Sequence, residues 1–168
     1  SAALHLAERG YDVALLDAQR VAFGASGRNG GQVGTGQRVD IEDLEKMVGT
    51  QQAKILWYLS LESVALVKHL IDHHKIDVKF RPGIIEAAHR ARMGPGYHAS
   101  VEHLAKTYGY TEMQPLDRAA IHRLLGTRVY YGGALDMGSG HLHPLRYGLG
   151  LAKAANKAGV QIFENSKV

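Results

Sequence analysis

The sequence predicts an α/β protein in which a unit of alternating helices and strands is interrupted by a region of mixed helix and strand. At the start, a helical pattern over residues 1–9 is followed by the unalternating apolar run Val13–Leu16, which is typical of a parallel strand buried on both faces. At the end, a helix predicted over Leu145–Ala158 precedes a second such run, Val160–Phe163. We therefore expect a helix–strand unit at each end of the sequence.

The residues between these units predict a mixed α+β region. Asp40 is a suitable N-cap for a short helix, and apolar residues at helical spacing predict a longer helix from Thr50 to about Lys75. The other predicted elements are strands at Val78–Phe80, Ile84–Arg90 and Val129–Asp136, and helices over Tyr97–Tyr108 and from Asp117 to Gly126. We assign residues 1–80 and 142–168 to one domain and residues 81–141 to an inserted domain.

Composition limits the classes of function. The 168 residues are 45% hydrophobic, carry a formal charge of +4 and include no cysteine. The lack of cysteine excludes disulfides and thiolate chemistry and fits a reducing compartment, so we expect a cytoplasmic protein. Lys and Arg are scattered rather than clustered with aromatics, so no nucleic-acid partner is expected. Lys54, Glu62 and Lys68 interrupt the longest apolar stretches, so no membrane span is expected.

Asp17 directly follows the first predicted strand. In dinucleotide-binding βαβ units an acid at this place accepts hydrogen bonds from ribose hydroxyls, roughly 20 residues beyond a G-x-G-x-x-G turn. The alternative is a surface aspartate that closes a strand. Counting back from Asp17 places the glycine turn before residue 1, so we expect an internal piece of a longer protein with an incomplete Rossmann-like domain.

Glycine is concentrated in two short segments, which suggests backbone held close to a ligand or turned through positive φ. The first, GASGRNGGQVG over Gly24–Gly34, offers backbone N–H donors, the Ser26 hydroxyl and the Arg28 guanidinium, all suited to a pyrophosphate. Gly30–Gly31 leaves room for a flat ring. A flexible surface loop is the alternative, but a position after an acid-ended strand favours the ligand crevice. The second segment is Gly138–Pro144.

The loop GASGRNGGQ, together with LDMGSGHLHP at Leu135–Pro144, resembles the amino-acid-oxidase-like (DAO) family of FAD-dependent oxidoreductases, and within it the gamma-glutamylputrescine oxidoreductases. The resemblance covers essentially the whole chain. It implies an FAD-binding Rossmann-like domain with an inserted mixed α+β substrate domain. It also implies oxidation of an amine C–N bond by hydride transfer to flavin, with imine hydrolysis, oxygen as electron acceptor and release of peroxide.

The resemblance assigns roles to individual residues. It implies that Asp17 and Ala18 lie at the ribose, Ala25 and Ser26 at the pyrophosphate, Gly30, Gly31 and Gln32 near the flavin, and the backbone of Val168 at the adenine. His143, which precedes Pro144, is expected at the edge of the substrate site. No catalytic residue is assigned.

One other enzyme class and one inactive form remain open. The substrate could instead be glycine, sarcosine or a D-amino acid, with an oxidase or a dehydrogenase reaction. The chain could also be a cofactor-free piece, and we expect it to be inactive when expressed alone. Histidine pairs occur at His73–His74 and at His141 and His143, but no acid or third histidine follows at ligand spacing. We therefore predict no metal site and expect His73–His74 to cap carbonyls at a helix end.

Overall fold

The protein, described here by a computed structural model over all 168 residues, divides into two compact units. The first comprises residues 1–32, 66–80 and 142–168, and the second comprises residues 33–65 and 81–141. The limits at 80/81 and 141/142 coincide with those expected from the sequence. Residues 33–65 were assigned to the first domain from the sequence, but they lie in the second unit. The reason is a shared apolar cluster, which contains Ile41, Leu44, Ala53, Trp57, Leu104, Tyr108 and Tyr110.

Six helices and six strands make up the fold. The helices are α1 (Ala2–Glu8), α2 (Ile41–Val48), α3 (Thr50–His73), α4 (Gly94–Tyr108), α5 (Arg118–Leu125) and α6 (Pro144–Lys157). The strands are β1 (Ala14–Leu16), β2 (Gln32–Val33), β3 (Arg81–Ala87), β4 (Met113–Leu116), β5 (Gly133–His141) and β6 (Gln161–Phe163). All six helices were predicted. None of them has the length and apolar character needed to cross a membrane.

The first unit is built on a parallel pair of strands. β1 and β6 pair with Leu15 opposite Ile162, as expected for two strands joined by a crossover. One face of the pair packs against α1, α3 and α6 through a cluster centred on Leu4, Leu70, Ala154, Ala155 and Val160. The prediction of burial on both faces was wrong, because only one face is covered. Leu16 and Phe163 on the other face are 54% and 45% exposed.

The second unit is built on an antiparallel sheet in which β5 pairs with both β3 and β4. The predicted strand Val78–Phe80 is absent. β3 instead runs through Pro82–Gly83 with a shift of register, which is how a strand accommodates residues that disrupt a regular ladder. β5 begins at Gly133 rather than Val129 and ends at His141, inside the second glycine-rich segment. β4 was not predicted; it contains Pro115, a residue that cannot donate a ladder hydrogen bond.

Candidate functional site

The glycine-rich loop after β1 is held in shape by Asn29. Ala25–Gly27 forms a single 3-10 turn. The Asn29 amide donates to the carbonyls of Ala25 and Ser26 at 2.9 and 3.1 Å, and its oxygen accepts the Gly31 N–H at 2.7 Å. The side chain thereby bridges the turn and the paired glycines. This role of Asn29 was not predicted, although an Asn-Gly dipeptide is a recognised turn signal.

Gly31 is buried and lies against the backbone that precedes α6. Its φ is +74°, and a Cβ atom added to it would stand 2.0 Å from the Leu142 carbonyl oxygen. The Gly31 carbonyl in turn accepts the Leu142 N–H at 2.9 Å. Only glycine combines this φ with so close an approach. The requirement for glycine at this position therefore arises within the chain itself, in addition to any space that a ligand needs.

Asp17 stands where β1 ends, as predicted. Its N–H donates to the Phe163 carbonyl at 2.9 Å, which extends the pairing with β6, and one carboxylate oxygen accepts the Gln19 N–H at 2.8 Å. Ala18 beside it is exposed. The segment is also tied to the end of β6 by Glu164, whose carboxylate accepts the Val21 N–H at 2.8 Å. Asp17 and the start of the following loop are thus both hydrogen-bonded to the end of β6 and the residue after it.

A cavity of about 460 Å³ opens within the first unit. It brings together two of the predicted cofactor residues, Asp17 and Ser26, with Gly24 between them in the chain. The rest of its wall includes Leu15 and Ile162 of the strands and parts of α1 and α6. The first N–H groups of the 3-10 turn have no partner inside the turn. The cavity therefore combines polar donors and one carboxylate with an apolar part of the wall.

The remaining predicted site residues lie elsewhere. Arg28 is exposed, and its guanidinium carbon lies 4.1 Å from the centroid of the Phe23 ring, a cation–π contact. Gln32 is exposed in β2, and Val168 is fully exposed beyond β6. His143 is the N-cap of α6, where its Nδ1 accepts the Arg146 N–H at 3.4 Å. The structure thus gives His143 a capping role that the sequence analysis did not foresee.

The second unit contains a buried carboxylate, Asp136 of β5, which is 4% exposed. It accepts hydrogen bonds from the Tyr110 hydroxyl at 2.5 Å, the Thr35 hydroxyl at 2.8 Å, the Gly138 N–H at 3.0 Å and the Ser139 hydroxyl. Four donors satisfy the charge in place of water. Burial, and then the bond to Asp136, raise the pKa of Tyr110 above its ordinary value. The network therefore holds a proton on Tyr110 and fixes β5 to its neighbours.

Beside this network lies a second cavity, of about 530 Å³, whose wall belongs entirely to the second unit. Four of its lining residues carry carboxylates, namely Asp40, Glu42, Glu86 and Asp136. Burial raises the pKa of Glu86, and the charges of Asp40 and Asp136 raise it further. The cavity is therefore an environment that disfavours additional negative charge.

The family follows from comparison with known proteins. The sequence matches the family described as "FAD dependent oxidoreductase" (DAO) over residues 1–168, the whole chain. The chain belongs to this family. The family is one of FAD-dependent enzymes.

Curated relatives resemble the chain along its full length. It is 42% identical over 168 residues to a "Probable oxidoreductase OrdL" of Haemophilus influenzae, covering 100% of this chain and 39% of the relative. It is 37% identical over 168 residues to the "Gamma-glutamylputrescine oxidoreductase" of Escherichia coli, again covering 39% of that protein. The chain thus spans about two fifths of the length of these relatives.

Solved structures support the fold of this DAO-family chain. The glycine oxidase of Geobacillus kaustophilus superposes with a TM-score of 0.73 at 20% identity, covering 99% of this chain and 43% of the other. An L-amino acid deaminase of Proteus myxofaciens superposes with a TM-score of 0.69 at 21% identity, covering 97% and 35%. The predicted class, an α/β fold with a Rossmann-like unit and a region of mixed helix and strand, is confirmed at the level of fold.

The residues of the first cavity fit the chemistry of FAD. A carboxylate at the strand end suits ribose hydroxyls, and unbonded N–H groups of a turn with a serine hydroxyl suit a pyrophosphate. Gly24 lines this cavity, and a Cβ atom added to it would meet nothing within 4 Å. The donor set and the open space agree with the cofactor that defines the family.

Proposed function

We propose that the protein carrying this chain oxidises the C–N bond of an amine, with a substrate of the gamma-glutamylputrescine type. The observation that carries the proposal is the Asp17–Ser26 cavity, which unites the acid-ended strand with the glycine loop in an FAD-dependent family. The identity of 37% to a gamma-glutamylputrescine oxidoreductase supports the substrate class. The lack of cysteine supports a cytoplasmic location.

In this proposal the chain's own residues hold the cofactor. Asp17 and Ala18 lie at the ribose, Ala25 and Ser26 at the pyrophosphate, Gly30, Gly31 and Gln32 near the flavin, the backbone of Val168 at the adenine, and His143 at the edge of the substrate site. Asn29 positions the loop, because its amide links the turn to Gly31. When bound, FAD supplies an acceptor for the hydride of the amine-bearing carbon, which leaves an imine that water hydrolyses, with oxygen as final acceptor and peroxide as product.

The acidic cavity of the second unit supports an amine rather than a carboxylate-only substrate. A protonated amine is attracted to a cavity that carries Asp40 and Glu86, whereas a further anion there is repelled. Of the other two acids, Asp136 is already satisfied by its network and Glu42 accepts the Ser100 hydroxyl at 2.7 Å. Asp40 and Glu86 are therefore the groups we propose to attract the substrate's positive charge.

The test is anaerobic reduction of the flavin in the complete protein by a panel of amines. The panel contains gamma-glutamylputrescine, putrescine, glycine, sarcosine and D-alanine. We expect gamma-glutamylputrescine to bleach the flavin absorbance at the lowest concentration, and peroxide to form when air is admitted. Faster bleaching by glycine, sarcosine or D-alanine would favour the amino-acid oxidase alternative, and bleaching without peroxide would favour a dehydrogenase. A purified complete protein without flavin would contradict the proposal.

A further inference from the structure

Three potential metal ligands from two helix ends meet on the surface of the first unit. Glu8 is the last residue of α1, His73 is the last residue of α3, and His74 follows it. One ligand atom from each residue lies within 4.8 Å of the others. The sequence did not reveal this group, because Glu8 and His73 are 65 positions apart in the chain.

We propose that Glu8, His73 and His74 bind a divalent first-row metal ion such as Zn²⁺. Two imidazole nitrogens and one carboxylate oxygen form a ligand set that suits zinc, with a fourth position left for water. The site is independent of the flavin and of the proposed oxidation of amines.

The strongest observation is the state of the His74 ring. Its Nε2 is buried and has no hydrogen-bond partner, an arrangement that costs free energy unless something satisfies the atom. The nearest acidic oxygen, Glu8 Oε1, lies 3.6 Å away. Two ligands bound to one tetrahedral zinc ion are separated by roughly 3.3 Å. The spacing of these two atoms is therefore longer than a hydrogen bond and close to that of two ligands sharing an ion.

The other histidine of the pair is not engaged in the role that the sequence suggested. We expected His73–His74 to cap carbonyls at the end of α3. The carbonyls of Leu70, Ile71 and Asp72 are instead bonded to the backbone N–H groups of His74, Ile76 and Lys75. The capping prediction was therefore wrong, since the backbone satisfies the helix end. The rings of His73 and His74 pack edge to face at 4.7 Å, on the side of the helix end where Glu8 lies.

Two surrounding features favour a cation at this place. The C-terminal ends of α1 and α3 both carry the negative end of a helix dipole. His5 Nδ1 lies 3.5 Å from Glu8 Oε2, so it can orient the carboxylate by its second oxygen, as partners of metal ligands commonly do. A bound ion would join the end of α1 to the end of α3 and so stabilise the first unit.

The test measures zinc affinity of the complete protein by competition with a chromophoric chelator. We compare wild type with Glu8→Gln and His73→Gln, two exposed positions where the fold should tolerate change, and with His74→Ala. His141→Ala is the matched control, because it removes an exposed histidine from the other histidine pair. We expect one zinc ion per chain, a loss of affinity of roughly tenfold or more in each of the three variants, and no loss in the control.

A second measurement separates metal binding from a purely structural ion pair. Zinc should raise the midpoint of thermal unfolding of wild type and of His141→Ala, but not of Glu8→Gln. If Glu8 and His74 form only an ion pair, the variants lose stability while zinc affinity stays the same as in wild type, and the proposal is overturned. It is equally overturned if His141→Ala abolishes zinc binding.

Discussion

In the segment 24–34 glycine sets the path of the backbone, whereas at position 138 it clears space for another side chain. Gly31 needs its positive φ and its closeness to the Leu142 carbonyl. Gly138 has an ordinary φ inside β5, and a Cβ there would stand 2.0 Å from the Tyr110 hydroxyl oxygen. That hydroxyl must pass Gly138 to reach Asp136. The difference teaches that glycine-rich sequence alone does not mark a ligand loop.

The two segments should consequently fail in different ways when glycine is replaced. A change at Gly31 distorts the loop that we propose to hold the cofactor. A change at Gly138 distorts a polar network that holds a sheet together. The change at Gly31 should appear as loss of flavin, and the change at Gly138 as loss of stability.

The largest effect is expected from Gly31→Val, which should abolish FAD binding in the complete protein. Gly31→Ala distinguishes between two possible causes of that loss. If the limiting contact is with the Leu142 carbonyl, one methyl group suffices and alanine also removes the flavin. If the limiting contact is with the flavin ring, alanine retains part of it. The measurement is flavin absorbance per protein after desalting, with Gly34→Ala as control, since a Cβ there meets nothing within 4 Å. Full flavin occupancy in Gly31→Val would show that the loop is misplaced.

Gly138→Ala should lower the free energy of unfolding by about 2–3 kcal/mol, because the added methyl overpacks a filled space. Tyr110→Phe removes the atom that the methyl strikes. In that background we expect the cost of Gly138→Ala to fall by about half, which a double-mutant cycle in denaturant measures directly. Strictly additive effects would mean that the two positions do not compete for space.

Asp17→Ala should weaken FAD binding by about 1–2 kcal/mol, or roughly 5- to 30-fold, because the ribose keeps its other contacts and water competes at this partly exposed site. Asp17→Asn keeps an acceptor for the Gln19 N–H and should lose less. Titration of the apoprotein with FAD, followed by flavin fluorescence, gives both affinities. An equal loss in the two variants would point to the charge of Asp17 rather than to its hydrogen bonds.

The smallest effect concerns acid sensitivity of the second unit. The Tyr108 hydroxyl bond at 2.7 Å, and then His103, hold the pKa of Glu45 below its ordinary value of 4.5. A depressed pKa means that Glu45 contributes stability above pH 4.5, and that this contribution is lost as the pH falls through the lower, folded-state value. Glu45→Gln should therefore lose less stability than wild type on acidification. Unfolding midpoints across this range test it, and Tyr108→Phe should show an intermediate loss.

Local patterns in the sequence predicted the elements that depend on neighbouring residues. All six helices, the two parallel strands and the acid at the end of β1 follow from periodicity, glycine stops and strand composition. The Asp136 network could not be predicted, since Thr35 and Tyr110 lie 101 and 26 positions away from it along the chain. The same holds for Gly31 and Leu142. Such contacts are fixed by the tertiary path, which no local pattern specifies.

The strands of the second unit were harder to predict than those of the first. β4 contains Pro115, which a sequence argument treats as a strand breaker, yet it pairs with β5 opposite Ala134. Likewise β5 runs through Gly138–Gly140, where the glycine content suggested backbone held close to a ligand or turned through positive φ. In both places pairing with the neighbouring strand overrides the local preference.

The most direct test of the account is the flavin-to-protein ratio of Gly31→Ala and Gly138→Ala, purified side by side from the complete protein. Circular dichroism first establishes that both variants are folded at the temperature of the measurement. We predict that Gly138→Ala retains the flavin content of wild type while Gly31→Ala has none. The opposite outcome, in which Gly31→Ala stays yellow and folded Gly138→Ala is colourless, would contradict the assignment of the cofactor to the loop at 24–34.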